Sequence, residues 1–153
     1  MRARSRAHHH PQPMNTLLLS IALLSPVQDP LVKPPSEERV EKAIEELKAA
    51  FDKKGDSETK MQAITLSSEV LHPEVIKWIA KGLKDKDDEV RAATIAALRY
   101  MEHPDANDVL VTTLRRDKKL RKHPELYEAL IKAVCQHADP KSFSLIADFK
   151  LND

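Results

Sequence analysis

The sequence predicts an all-α protein, a short right-handed α-solenoid built from antiparallel helix pairs. Three observations lead to this fold class. Apolar residues recur at three- and four-residue steps, which is the pattern of an amphipathic helix. Dipeptides that end in proline recur at intervals of 31 and 36 residues, as His72-Pro73, His103-Pro104 and Asp139-Pro140. The chain has only two glycines and no long alternating β-branched run, which disfavours a many-stranded sheet.

Residues 1–28 differ in composition from the rest of the chain. Three arginines precede a short apolar run at residues 17–24, and no acidic residue occurs before Asp29. A basic start followed by such a run is the pattern of a secretory signal peptide. The run is shorter than the ~20 apolar residues that cross a bilayer. Residues 29–35 contain three prolines and are predicted to form an extended linker.

The signal pattern predicts an exported protein, located in the periplasm or cell envelope, with no membrane span after the signal is removed. The alternative is a cytoplasmic protein whose apolar run docks on the folded domain. Met1 and Met14 are both candidate starts, since the apolar run at residues 17–24 would remain if translation began at Met14. Removal of residues 1–28 would take away three arginines and change the net charge from +1 to −2.

A helical repeat domain is predicted from residue 36 to residue 153. Ser36 is a candidate N-cap for a first helix at 36–53, and Gly55 is expected to end that segment. Each recurring proline suits the first position of a helix, where its missing N–H is not needed. Stacking of helix pairs would bury their apolar faces in one continuous core. The predicted pairs are 57–70 with 73–84, 88–101 with 104–116, and 124–137 with 140–150.

The segment from Leu83 to Arg91, with Ala93, Ala97 and Leu98 after it, resembles a HEAT repeat of the bacterial HEAT-like type, which includes the PBS-lyase-type repeats. The resemblance covers roughly residues 57–153. It implies a scaffold that presents the concave face of its second helices to another protein. It also implies ion pairs between repeats, here of Asp85 or Asp87 with Arg91, in a structural role.

Partner-binding residues are expected in two places. The resemblance assigns to the concave face Lys77, Lys81, Asn107, Asp108 and Thr112. Beside them, Trp78 is a candidate aromatic anchor for a partner or, at helical spacing with Val75, Ile79 and Leu83, a partly buried packing residue. The second place is the insertion that lengthens the second repeat, residues 115–123, where six of nine residues are basic. Its candidate residues are Arg115, Arg116, Lys118 and Lys119. Such a segment suits an acidic protein, a phosphate group or a membrane surface, or it is simply a solvated loop.

We expect no catalytic residue, no metal and no cofactor. His72 and His103 precede helix-opening prolines and are assigned to helix entry, and Cys135 is expected to be a buried or half-buried inert thiol. The enzymatic alternative resembles the HEAT-like phycobilin lyases, although no residue here specifies that chemistry. Nucleic-acid binding through residues 115–123 is a further alternative. The net charge of +1 and the lack of aromatic residues among the basic ones disfavour it.

The predicted last helix, 140–150, carries apolar residues and no evident polar cap, which the end of a solenoid normally needs. We therefore expect this end to meet a partner, to self-associate, or to continue into a longer solenoid.

Overall fold

The computed structural model describes residues 34–52 and 55–137. Contacts divide the chain into Met1–Leu31 and Val32–Asp153, and all described residues belong to the second unit. The predicted signal at 1–28 and the predicted helix 140–150 lie outside the described residues. The described part contains helices and no strand, which confirms the all-α class. Its helices are α1 (Glu37–Ala50), α2 (Ser57–Ser67), α3 (Pro73–Ile79), α4 (Asp88–Tyr100), α5 (Pro104–Arg116) and α6 (Pro124–Gln136), with 3₁₀ turns at Ala80–Lys84 and Leu120–Lys122.

The helices begin where side chains can satisfy the free N–H groups of the first turn. Ser36 Oγ accepts from the Arg39 N–H at 3.4 Å, as the sequence predicts. Asp56 Oδ1 accepts from Thr59 N–H at 2.7 Å, and Asp87 Oδ1 accepts from Glu89 N–H at 2.9 Å. These caps explain why α1, α2 and α4 start at residues 37, 57 and 88.

Helix α1 is shorter than the predicted 36–53, because the α-helix ends at Ala50 with Phe51 as its C-cap. Gly55 then lies against this helix end, with its N–H donating to the Asp52 carbonyl at 2.9 Å. A Cβ on residue 55 would lie 1.9 Å from the Ala50 carbonyl oxygen, so only glycine fits this close approach. The glycine therefore acts after the helix, by permitting contact with its last turn.

The predicted helix 73–84 is α-helical only to Ile79 and continues as a 3₁₀ turn over Ala80–Lys84. Gly82 is buried in this turn, where a Cβ would lie 2.1 Å from Thr94 Oγ1 of α4. The absent side chain lets the turn pack directly on α4. A 3₁₀ helix is wound more tightly than an α-helix, so this segment presents its side chains at a different rotation from α3.

The helices form two layers. Helices α2, α4 and α6 lie side by side in one layer, and α1, α3 and α5 form the other. Helix α1 thus stands where the second helix of a preceding repeat would stand. One continuous core runs between the layers, from Val40 in α1 to Val134 in α6. Burial of each large core side chain contributes about 2 kcal/mol to the free energy of unfolding. Packing in this shared core holds the helices in fixed positions relative to one another.

Candidate partner-binding groove

A groove of about 980 Å³ lies between α3 with its 3₁₀ extension and α5. Residues 117–119, which follow α5, complete its wall. The basic side chains lining it are Lys77, Lys81, Lys84, Arg116, Lys118 and Lys119. The carboxylates lining it are Asp105, Asp108 and Asp117. Its apolar lining comes from Ile76, Ala80, Leu83 and Val109, and Thr112 and Thr113 supply hydroxyl groups.

The spacing of the lining residues explains how two helices make this surface. On α5 the lining residues recur at steps of three and four from Asp105 to Arg116, so they share one helix face. The opposite face of α5 carries Ala106, Leu110 and Leu114 into the core. The groove wall is therefore the solvent side of a helix whose other side is fixed by packing.

The segment after α5 is held in place rather than being a freely solvated loop. Asp117 Oδ1 accepts from the N–H groups of Lys119 at 2.9 Å and Leu120 at 3.1 Å, which turns the chain. Leu120 is 1% exposed and joins the core. The Asp117 side chain fixes the start of this turn and the buried Leu120 fixes its end. Lys118 and Lys119, which lie between them, line the groove.

The charge of the groove is opposite to that of the domain around it. The described residues contain 17 Lys and Arg against 20 Asp and Glu, a net charge of −3. The groove lining has six cationic side chains and three carboxylates, a net charge of +3. Positive charge is thus concentrated in one concave surface of an otherwise acidic domain.

Seven of the ten residues assigned to partner binding from the sequence line this groove. They are Lys77, Lys81, Asp108, Thr112, Arg116, Lys118 and Lys119. The two predicted patches, the second-helix face and the basic insertion, therefore form one surface. Arg115 is exposed but does not line the groove, because it points away from its neighbour Arg116 around the helix.

The assignment of Asn107 to the exposed face needs correction, because its residue is only 5% exposed. Asn107 stands at the repeat position of Ile76, which is fully buried in α3. The polar side chain suggested a surface position, but the rotation of α5 directs it inward. A partner in the groove would not contact it directly.

Trp78 is partly buried and packs against the core. Its ring lies under the Lys81 ammonium, with Nζ at 3.0 Å from the ring centroid, and Lys48 Nζ of α1 lies at 5.7 Å. Trp78 does not line the groove itself. Its contact with Lys81 positions an ammonium group that does.

The residues predicted to pair between repeats have different partners from those expected. Asp85 Oδ2 accepts from Lys60 Nζ at 2.8 Å, and Ser57 Oγ donates to Asp87 Oδ2, so both aspartates bond to α2 of the preceding repeat. Arg91 instead pairs with Asp88, three residues earlier on α4. Arg91 stands at the repeat position of Lys60, and Arg121 stands at that of Asp85. The next repeat therefore offers Arg91 no carboxylate at this position.

Asp88 continues the connection to the next repeat through a different residue. Its Oδ2 lies 2.9 Å from His123 Nδ1, at the entry to α6. His123 stands at the repeat position of Asp87, and Asp88 stands at that of Ser57. The Asp88–His123 contact is therefore equivalent in position to the Ser57–Asp87 contact, but it joins a carboxylate to an imidazole instead of a hydroxyl to a carboxylate. Burial raises the pKa of Asp85, but the hydrogen bonds from Lys60 and from the Asp87 N–H outweigh it and hold the pKa below its usual value. The pKa of Asp87 is lowered chiefly by the Ser57 hydroxyl.

The histidines before α3 and α5 act at the helix entries. His72 Nδ1 accepts from the Glu74 N–H at 3.3 Å, and His103 Nδ1 accepts from the Asp105 N–H at 3.1 Å. Among the described residues there is no group of three or more His, Cys, Asp or Glu side chains that could hold a metal ion.

Cys135 is exposed, not buried or half-buried as expected, because it follows the core residues Ala133 and Val134 around α6 onto the solvent side.

A second cavity, of about 470 Å³, is lined by the ends of α4 and α6 and the start of α5. Its polar side chains are largely engaged with the protein itself. Arg99 Nε donates to Gln136 Oε1, and His137 Nε2 lies 3.0 Å from the Leu98 carbonyl oxygen. The larger groove, with its exposed charges, is therefore the stronger candidate site.

Sequence reasoning missed Lys84, Asp105 and Val109, which also line the groove. Asp105 lies three residues before the predicted Asp108, and Val109 lies three residues before the predicted Thr112, so helical spacing could have found both. Lys84 could not be placed in this way, because it lies on the 3₁₀ turn, where α-helical spacing does not apply.

Paired helices in two layers, with a groove along one layer, define the class of α-solenoid proteins. The family model for HEAT repeats matches residues 44–123. The chain therefore belongs to the HEAT-repeat family, as its sequence motifs indicate. A comparison with curated proteins gave no match. In the described part of the chain, no helix is both long enough and apolar enough to span a membrane.

Proposed function

We propose that this chain is a non-catalytic binding module that holds a segment of another protein in the groove between α3 and α5. The observation that carries the proposal is the concentration of exposed charged side chains in one concave surface. That surface has a net charge of +3, within a described domain of net charge −3. HEAT repeats are commonly protein-interaction scaffolds, which supports this role.

The way in which the core fixes the groove walls supports a binding role rather than a catalytic one. Its two walls are amphipathic helices whose inner faces lie in the shared core, and the turn after α5 is anchored by Leu120. A preformed surface loses little conformational entropy when it binds, so more of the contact energy contributes to affinity. The residues that line the groove include no aromatic side chain on which a nucleic-acid base could stack.

Site-specific photo-cross-linking in cells of the native host tests this proposal. A photoreactive residue replaces Thr112 in the groove or, as the matched control, the exposed Gln62 on α2. We expect one or a few protein adducts from position 112 that are absent from position 62. Equal adducts from both positions, or none from position 112, would contradict docking in the groove.

We also propose export of the protein, on the basis of the basic and apolar pattern in residues 1–28. Intact mass spectrometry of cytoplasmic and exported fractions from the native host tests this. We expect a shortened form that begins near Gln28 or Asp29 outside the cytoplasm. A full-length form confined to the cytoplasm would contradict export.

A further inference from the structure

We infer that the segment bound in the groove is a short amphipathic helix with a cluster of acidic residues, and that this cluster lies at the C-terminal end of α5. The inference rests on the proposed function and adds the chemistry and placement of the partner. It follows from three properties of the groove: its unpaired cations, the distribution of its charges along the helices, and its size.

The cations of the groove are not neutralised within the protein. In the described part of the chain, none of the six lining Lys and Arg side chains forms an ion pair with a carboxylate. Of the three lining carboxylates, Asp117 is engaged within the protein, because its Oδ1 accepts two backbone N–H groups. Acidic groups of a partner would therefore meet cations that have no internal competitor.

The charges are also unevenly distributed along the groove. Asp105 and Asp108 lie in the first turns of α5, whereas Arg116 is its last residue and Lys118 and Lys119 follow it. Lys84 ends the 3₁₀ turn after α3. Because α3 and α5 are second helices of successive repeats, they run in the same direction, and Lys84 belongs to the same end. Four cations there outweigh the Asp117 carboxylate and the partial negative charge of about half a unit at a helix C-terminus.

The size and floor of the groove suit a helix. Two turns of an α-helix about 10–12 Å wide occupy on the order of 1,000 Å³, close to the groove volume of about 980 Å³. Ala80 and Val109 line the floor and are partly exposed. An apolar side chain of the partner, such as leucine, can cover them while flanking acidic residues reach the cations. A recurring mode of recognition places an amphipathic helix in a groove in this manner.

Fluorescence anisotropy with the full-length protein tests the inference. The probe is a labelled 14-residue helical peptide with one leucine face and a cluster of four glutamates. The comparison peptide has lysine in place of each glutamate. The variants are Arg116→Glu in the groove and Arg115→Glu outside it, which make the same charge change one residue apart. Both side chains are exposed, and circular dichroism checks that both variants fold.

We expect the acidic peptide to bind and the lysine peptide not to bind. Arg116→Glu should weaken binding at least tenfold, and Arg115→Glu less than threefold. Lys77→Glu, nearer the acidic end, should have a smaller effect than Arg116→Glu. Binding should weaken as salt rises, because exposed charges are screened. Equal effects of the two arginine substitutions, or equal binding of both peptides, would overturn the inference.

Two further probes separate other ligands from the proposed one. Tighter binding of a single-stranded oligonucleotide, or of vesicles rich in anionic lipid, than of the acidic peptide would overturn the inference in favour of that ligand. If the acidic peptide fails to bind while position 112 still cross-links a protein partner, docking in the groove stands and only the acidic helix is wrong. If neither occurs, both proposals fail.

Discussion

Lys60 of α2 donates to Asp85, in the turn before α4, with 2.8 Å between Nζ and Oδ2. Their side chains are only 13% and 9% exposed. Beside this ion pair, Ser57 of α2 donates to Asp87. The two contacts join successive repeats on the layer opposite the groove, so they help to set the angle between the repeats. That angle in turn fixes the separation of α3 and α5.

The first prediction concerns this ion pair. Lys60→Met and Asp85→Asn should each lower the free energy of unfolding by about 1–3 kcal/mol, because each leaves a largely buried polar partner without its bond. Urea denaturation of both single variants and the double variant measures this. The double variant should lose less than the sum of the two single losses. Strict additivity would contradict a direct coupling between the residues.

The exposed Glu128–Lys132 pair on α6 is the control for this cycle, with side chains 66% and 61% exposed. Its Nζ and Oε1 are 2.6 Å apart, which is as close as the pair between repeats. Solvent screening makes such surface pairs contribute little, so Lys132→Met should leave the unfolding midpoint nearly unchanged.

The second prediction is a loss of stability in acid. The pKa values of Asp85 and Asp87 are lower in the folded protein than their ordinary values. Their contribution to stability is therefore fully present above the unfolded-state value of about 4, and is lost as the pH falls through the folded values. Urea midpoints measured between pH 6 and pH 2.5 should show this decline. It should be shallower in Asp85→Asn, and an unchanged slope in that variant would count against the assignment.

The third prediction concerns the contact of Gly82 with α4. Gly82→Ala would place a methyl group 2.1 Å from Thr94 Oγ1, so it should lower the free energy of unfolding by about 1–3 kcal/mol, as overpacking does. Addition of Thr94→Ala should recover part of this loss by removing the clashing hydroxyl. Thermal unfolding of the two single variants and the double variant makes the comparison. A double variant with no recovery would show that the clash lies elsewhere.

The fourth prediction concerns the exposed thiol of Cys135. In the native protein it should react with a thiol reagent such as DTNB to one equivalent, at a rate close to that of the unfolded chain. The measurement is the time course of absorbance with and without denaturant. Protection by orders of magnitude in the native protein would show that this face of α6 is covered.

Sequence reasoning predicted the helical architecture because its signals are local. The spacing of apolar residues, the N-cap at Ser36 and the helix-opening prolines each depend on a few neighbouring residues. The same reasoning indicated seven of the fifteen residues that line the groove, among them Lys77, Lys81 and Thr112 on the solvent sides of their helices. It also noted the basic insertion, although not that this segment completes the groove.

The remaining features depend on contacts between distant residues, which local patterns do not contain. The burial of Asn107 follows from the rotation of α5 against the core. Arg91 pairs with Asp88 because position 121, the repeat equivalent of Asp85, holds an arginine and offers no carboxylate. The 3₁₀ turn that places Lys84 depends on the approach of Gly82 to Thr94 across two helices.

The central claim is that the groove between α3 and α5 binds its partner through its basic end. The most direct measurement is an NMR titration of the ¹⁵N-labelled full-length chain with the acidic helical peptide. We predict shifts of the amide signals of residues 76–84 and 108–119, with α2 and α4 unchanged. Shifts confined to other residues, or no shifts at millimolar peptide, would contradict the claim.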